Sequence, residues 1–377
     1  PPRSTPLYSS AASDVYKRQG GTLTLTSPDG MTKTYIFDDD NDGATGTVDG
    51  SGYVRIQLNT LSGQNNVAAQ IKAAIENTTN GHGYRISIAV STDSSTDDTT
   101  KSEVQTFLKY GNGKFTFDSY KPLEDRPITV YTHLPKEGAT NLPLIFVLHG
   151  SSRSVVSNCG YWTDSARKYN FVVICPEFKE SQFPGSAYYQ NGMMYLNNQF
   201  ADSTKWTYNL IEEIFTYLKE KDVTTHDTYG IYGFSGGGQF VHRYALFTNP
   251  KRASFIMPGG SGWYTLPNFS ENFPYGLKNA PFDENSLAGK FQLPITIIVG
   301  ENDNNPNDSS LRKTAEAMRQ GNHRFERAKF FYNRAVEGSD ILGVNLNWTF
   351  RSVPNIGHSA VDIAPIAAEL FHNSLNN

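Results

Sequence analysis

Cysteine is nearly absent: only Cys159 and Cys175 occur in 377 residues. That excludes a disulfide-dense mini-domain and a multi-cysteine zinc site, and it leaves the redox compartment open. No Lys/Arg cluster could neutralise a row of phosphates, and the net charge is −4, so nucleic acid is not the expected ligand. Apolar runs are short. Leu144 to Leu148 is typical, and it is far too short to span a bilayer. No glycine-rich dinucleotide fingerprint and no phosphate loop is present, so no cofactor is implied. Charged residues reach only 19%, below the usual ~25%. What is abundant is aromatic: 21 Tyr and 23 Phe bring the aromatic share to 13%. This is the composition of a packed globular protein, long enough for about two domains at ~150 residues each.

The first residues stand apart. Ser9 to Gln19 reads SSAASDVYKRQ, and Pro1 to Thr5 reads PPRST. Both resemble the in-frame translation of a transposase-type sequencing adapter, with Pro6 to Tyr8 filling the place of a short index. The resemblance covers residues 1–19 and implies a non-native segment to be set aside before fold reasoning. It also implies that the natural N-terminus is missing, and that later junctions could be chimeric. Localisation is therefore left open, with a secreted or periplasmic setting favoured.

Charge divides the remainder. Residues 20–104 carry 5 basic and 11 acidic side chains, whereas residues 105–377 carry 25 of each. Between them Ser91 to Lys101 (STDSSTDDTTK) offers no apolar anchor and reads, with its flanks, as a polar linker over 91–104. Residues 20–90 have the pattern of a small α+β module. Leu23 to Thr26 and Thr34 to Phe37 alternate around a Pro28-Asp29-Gly30 turn, Gly52 to Leu58 alternates again, Val67 to Ile75 has helical spacing, and Tyr84 to Val90 reads as a last strand. The module loosely resembles those fused to virion or surface proteins in environmental sequences, which implies attachment or display.

Within it, Asp38, Asp40, Asp42, Gly43 and Asp49 fall at positions 1, 3, 5, 6 and 12 of a calcium-loop pattern. Such a loop needs a helix before it, and Tyr35 to Phe37 reads as strand. An acidic solvated turn is the favoured reading and no metal is expected.

From Lys114 onward, apolar strands alternate with amphipathic helices. Strands are expected at 115–117, 128–131, 144–148, 171–175, 228–232, 295–299 and 347–353. Helices are expected at 161–169, 206–218, 237–247, 310–319, 324–335 and 360–371. This alternation indicates an α/β domain over 105–377, a mostly parallel sheet with helices on both faces.

On that frame sits Gly233-Phe234-Ser235-Gly236-Gly237. G-x-S-x-G is a weak pattern alone, but here it follows a strand and opens a helix, the setting of a strained nucleophile turn. A neutral hydroxyl is a poor nucleophile and needs an imidazole base, which in turn needs a carboxylate to fix its tautomer. Asp303, just past a strand, and His358, between the last strand and last helix, complete the chain order Ser, Asp, His. Glu301 and Asp308 compete with Asp303 for the acid role, and Asp308 reads equally as a helix cap. The other histidines fall outside the required loop and read as structural or solvated, His149 with a structural hydrogen-bonding role.

Residues 114–373 resemble α/β-hydrolases near the polyhydroxybutyrate depolymerases and the feruloyl and acetyl-xylan esterases, through LHGSS, YGFSGGGQFVHR, VGENDNN and VPNIGH. The resemblance implies an oxyanion hole made by the amides of Gly236 and Ser151. The sequence departs from many secreted members in lacking their paired cysteines and polymer-binding tails.

Two loops at strand C-terminal ends, 178–200 and 260–291, are expected to shape the substrate site. Tyr189, Trp263 and Tyr264 are the candidate substrate-binding aromatics, weighed evenly against simple packing on the body. The reading is a serine carboxylic-ester hydrolase acting through an acyl-enzyme on a small-molecule or carbohydrate-linked ester. Its alternatives are a serine peptidase of the same fold and a non-catalytic surface- or virion-associated binding protein.

Overall fold

The computed structural model describes residues 22–26, 31–38, 45–49, 51–57, 70–71, 73–75 and 107–375. The chain divides into two compact units, residues 1–102 and 103–377. The adapter-like segment, the linker, the hairpin turn at Pro28 to Gly30 and the expected strand at 84–90 lie outside the described residues.

In the first unit, β1 (Thr22–Thr26) pairs antiparallel with β2 (Thr32–Asp38), and β3 (Val54–Gln57) adds in parallel to β2. Tyr35, Phe37, Val54 and Ile56 alternate onto one face and bury against Ala74 and Ile75 of the helical stretch. Of the calcium-loop candidates, Asp40 and Asp42 lie outside the described residues, and Asp38 ends a strand. Asp49 accepts from the backbone N–H groups of Ser51 and Tyr53 at 2.9 and 2.7 Å, the hydrogen bonding of a solvated Asx turn.

The second unit is an eight-stranded sheet. Its strands are β4 (Gly111–Phe117), β5 (Ile128–Leu134), β6 (Leu144–Leu148), β7 (Val172–Glu177), β10 (Tyr229–Phe234), β11 (Ala253–Gly259), β12 (Thr296–Gly300) and β13 (Thr349–Val353). A two-stranded hairpin, β8 (Tyr195–Leu196) with β9 (Gln199–Phe200), stands apart. The large sheet runs in the order β13-β12-β11-β10-β6-β7-β5-β4, and β5 alone opposes the common direction. The helices are α1 (Val155–Gly160), α2 (Thr163–Tyr169), α3 (Gly185–Tyr188), α4 (Asn209–Glu220), α5 (Gly236–Phe247), α6 (Leu287–Phe291), α7 (Ala315–Gln320), α8 (Arg324–Leu342) and α9 (Ala360–Ser374).

The continuous apolar strands are explained by two cores. Leu144, Phe146 and Leu148 face one core with α4, α5 and α8, while Ile145 and Val147 face the other with α1, α2 and α9. A strand buried on both faces needs apolar residues at every position. β11 is absent from the expected elements because Ser254, Pro258 and Gly259 interrupt its apolar run.

The reading that paired cysteines are lacking is corrected: Cys159 of α1 and Cys175 of β7 form a disulfide, with α-carbons 5.9 Å apart. Helix α1 packs on β7, which brings together residues 16 apart in sequence. A second correction concerns Asp308. Helix α7 begins at Ala315, and its N-cap is Thr314, whose side chain accepts from the N–H of Ala317. Asp308 caps no helix.

The chain leaves β6 for β7 on one side, then returns to β10 on the other. β6 and β10 therefore flank the point where strand order reverses, the place where open α/β sheets bind ligands. Both strands end there, at His149-Gly150-Ser151 and at Ser235.

Candidate active site

Ser235 leads from β10 into α5 with φ 57° and ψ −113°, a left-handed strain that a non-glycine residue holds only when its surroundings impose it. They do so by proximity. A Cβ at Gly237 would stand 2.3 Å from the carbonyl oxygen of Leu148, so only glycine lets the first turn of α5 sit against the end of β6. The Ser235 N–H donates to Gly259 O at 2.8 Å, tying the turn to the end of β11.

The structure brings Ser235, His358 and Asp303 together. His358 Nε2 lies 3.1 Å from Ser235 Oγ, and His358 Nδ1 lies 2.7 Å from Asp303 Oδ2. Since a carboxylate can only accept, Nδ1 carries the ring hydrogen and Nε2 is left to accept from the hydroxyl. Asp303 is almost fully buried and His358 is half-buried, with a quarter of its side chain exposed. The competing acids are engaged elsewhere. Glu301 accepts from Ser352 Oγ at 2.8 Å, and Asp308 accepts from the Ser310 N–H and from Arg324 at 3.0 Å. Those hydrogen bonds, Arg324 foremost, hold the Asp308 carboxyl well below the usual carboxylate range.

Sequence reasoning missed Arg324. It is buried at the start of α8 and bridges Asp303 Oδ1 at 3.4 Å to Asp308 Oδ2 at 3.0 Å. Nothing in the pattern marks it, because it lies 21 residues past Asp303. Gln190 was missed as well, and its Nε2 donates to Ser151 Oγ at 3.1 Å.

Gly236 and Ser151 are adjacent. A Cβ at Gly236 would stand 2.8 Å from the Ser151 backbone N, so only glycine lets the start of α5 lie against that residue. Behind them, His149 has the structural role expected of it. Its Nδ1–H donates to Gly150 O at 3.0 Å, and Nε2 accepts from the Phe178 N–H at 3.1 Å. Burial pushes the ring down to about 4, which keeps it neutral.

The candidate aromatics do not present open rings. Tyr189 is fully buried, donates to His149 O at 2.6 Å and stacks on Phe178, bracing the His149-Gly150-Ser151 loop. Tyr264 is fully buried against Phe331, its backbone paired with Gln320. Trp263 is 3% exposed under arginine side chains. The long loops pack these rings down, because burying a large aromatic is worth more than leaving it in water.

Known proteins give this arrangement a family. The Esterase family matches residues 123–336, more than half of the chain. Poly(aspartic acid) hydrolase-1 from Sphingomonas sp. KT-1 is 32% identical, with a TM-score of 0.67 over 70% of this chain and 99% of its own. LpqC, a poly(3-hydroxybutyrate) depolymerase from Bordetella parapertussis, is 26% identical, with a TM-score of 0.67 over 72% and 93%. An S-formylglutathione hydrolase from Agrobacterium tumefaciens, 18% identical with a TM-score of 0.50 over 71% and 96%, shares the fold. Among proteins of curated function none matches. No helix among the described residues is long and apolar enough to cross a membrane. The α/β-hydrolase sheet and the extent of these matches place the chain in the esterase family, as a carboxylic-ester hydrolase.

Proposed function

We propose that the enzyme cleaves its ester through an acyl-enzyme on Ser235. His358 Nε2 takes the hydroxyl proton as Ser235 Oγ attacks the carbonyl carbon, and then returns that proton to the leaving alcohol. Asp303 holds the ring tautomer and stabilises the imidazolium. The N–H groups of Gly236 and Ser151 receive the oxyanion, and water then releases the acid by the same steps. The observation that carries this reading is the unbroken hydrogen-bonded line from Ser235 Oγ through His358 to buried Asp303, at 3.1 and 2.7 Å. A fluorophosphonate probe tests it. Labelling should be stoichiometric in the parent and absent in Ser235→Ala, and labelling retained in that variant would refute it.

A second reading has support from one observation. The 32%-identical relative is named for poly(aspartic acid), whose links are amides, whereas the 26%-identical relative is named for a polyester. The same groups can attack either carbonyl, and a panel of acyl esters set against peptides decides between ester and amide preference.

A further inference from the structure

Next to the oxyanion loop lies a group of guanidinium side chains that the chemistry above leaves unused. Gln190, bonded through Nε2 to Ser151 Oγ, accepts at its backbone oxygen from Arg243 Nη1 at 3.2 Å. Arg243 is fully buried in α5. Its Nε donates to Thr265 Oγ1 at 2.9 Å and its Nη1 to Gln239 O at 3.1 Å, while Nη2 finds no partner among the described residues. Its guanidinium lies 4.2 Å from the Trp263 ring. Arg312, exposed to solvent, lies 4.9 Å from that ring and 5.5 Å from the ring of Tyr275. Arg327, also buried, donates to Gly262 O, one residue from Trp263.

The loop that carries Trp263 also reaches Ser235 and His358. It starts at Gly259, whose oxygen accepts from Ser235, and a Cβ on Gly260 would stand 3.4 Å from His358 Cε1. Among the described residues, no carboxylate comes within ion-pair distance of Arg243, Arg312 or Arg327. The carboxylates of the surrounding loops are already taken: Asp303 and Asp308 by Arg324, and Glu271 by Arg319.

Burial pushes Arg243 and Arg327 down to about 10, so both keep their charge at neutral pH. Burying Arg243 without a carboxylate counter-charge is destabilising, and the guanidinium of Arg312 over the same ring adds repulsion. A bound anion removes both penalties. The planar guanidinium fork suits a carboxylate, and the exposed Arg312 is the member a ligand can reach.

We propose that the substrate carries a carboxylate close to its scissile ester, and that Arg312, held over Trp263 and backed by the field of Arg243, selects for it. The inference rests on Ser235 ester hydrolysis and deepens it by fixing the charge of the substrate.

The test compares matched esters on the full chain. The first pair is mono-p-nitrophenyl succinate against p-nitrophenyl butyrate, with the carboxylate on the acyl side. The second is 4-acetoxybenzoate against phenyl acetate, with it on the leaving-group side. In at least one pair the parent should prefer the anionic ester by kcat/KM. Arg312→Ala should lower that preference by about tenfold or more, Arg312→Lys should keep part of it, and Arg312→Glu should lower it further. Raising ionic strength to about 1 M should erode the preference in the parent itself, a readout that needs no variant. Arg319→Ala, an arginine already paired with Glu271, should leave the ratio where it was. A parent indifferent to the carboxylate in both pairs, or a preference that survives Arg312→Ala, overturns the inference while ester hydrolysis stands. Absence of all ester turnover and of fluorophosphonate labelling overturns both.

Discussion

The turn around Ser235 and the loop around Asp303 hold two ends of one hydrogen-bonded line, yet they are built by different physics. At Ser235 the main chain does the holding. Helix α5 is pressed against the ends of β6 and β11, and backbone contact fixes the serine in a strained φ. At Asp303 side chains do it, through Arg324 drawing Asp303 and Asp308 to one buried guanidinium. The first arrangement should fail by steric overlap, and the second by loss of charge.

The largest effects test the two ends directly. Ser235→Ala removes the proposed nucleophile without touching the backbone that positions it, so ester turnover should fall ~10⁴-fold or more at an unchanged melting temperature. Asp303→Asn should keep the geometry and favour the wrong imidazole tautomer, cutting turnover by up to ~10⁴-fold. Steady-state rates and melting curves on the same preparations check both.

The next pair separates the two kinds of holding. Arg324→Met leaves Asp303 and Asp308 facing each other without their cation, and should cost about 3–5 kcal/mol of stability as well as turnover. Gly237→Ala inserts a methyl group 2.3 Å from Leu148 O, and should cost about 3 kcal/mol. Lowering the pH towards the carboxylate range should narrow the gap between Arg324→Met and the parent, since what Arg324 gains from ionised Asp308 is lost as that carboxylate protonates. It should leave the Gly237→Ala gap unchanged. Equal narrowing in both would break the distinction.

The smallest effect sharpens it. Asp308→Ala leaves Arg324 bound to Asp303 and Ser310, and should cost about 1 kcal/mol with little loss of rate. The Asp308 carboxyl is held below its ordinary value, so what it contributes is present above the unfolded value of ~4 and lost as pH falls below it. Chemical denaturation of parent and variant at neutral and acidic pH should therefore converge at the acidic end.

The same division governs what could be read from the sequence. Main-chain packing leaves a local signature: an apolar strand, a Gly-rich turn and a helix in immediate succession expose Ser235, and a loop before the last helix exposes His358. Side-chain scaffolding leaves none. Arg324 reaches Asp303 across a helix boundary, Gln190 reaches Ser151 from another loop, and no periodicity relates them. Asp303 could be ranked above Asp308 only by its distance from the strand end, and the helix start that made Asp308 look like a cap lies further along, at Thr314. The loop aromatics were undecidable for a related reason. Whether Tyr189 meets a ligand or the protein depends on what lies behind it, here the backbone of His149.

Helix α5 is buried along its whole length from Gly236 to Leu246, with no face left for solvent. Most helices at a protein surface can fray or lift while the rest stays folded, but a helix enclosed on every side has no such partial motion. Its backbone amides should exchange with deuterium only through global opening, at a rate that follows the stability of the entire unit, while the solvent-facing turns of α9 exchange sooner. Ser235 sits at the mouth of this slowest-exchanging segment. Under heat or denaturant, then, the seryl hydroxyl and the last protected amides should be lost together, and a probe of either would serve as a clock for the other.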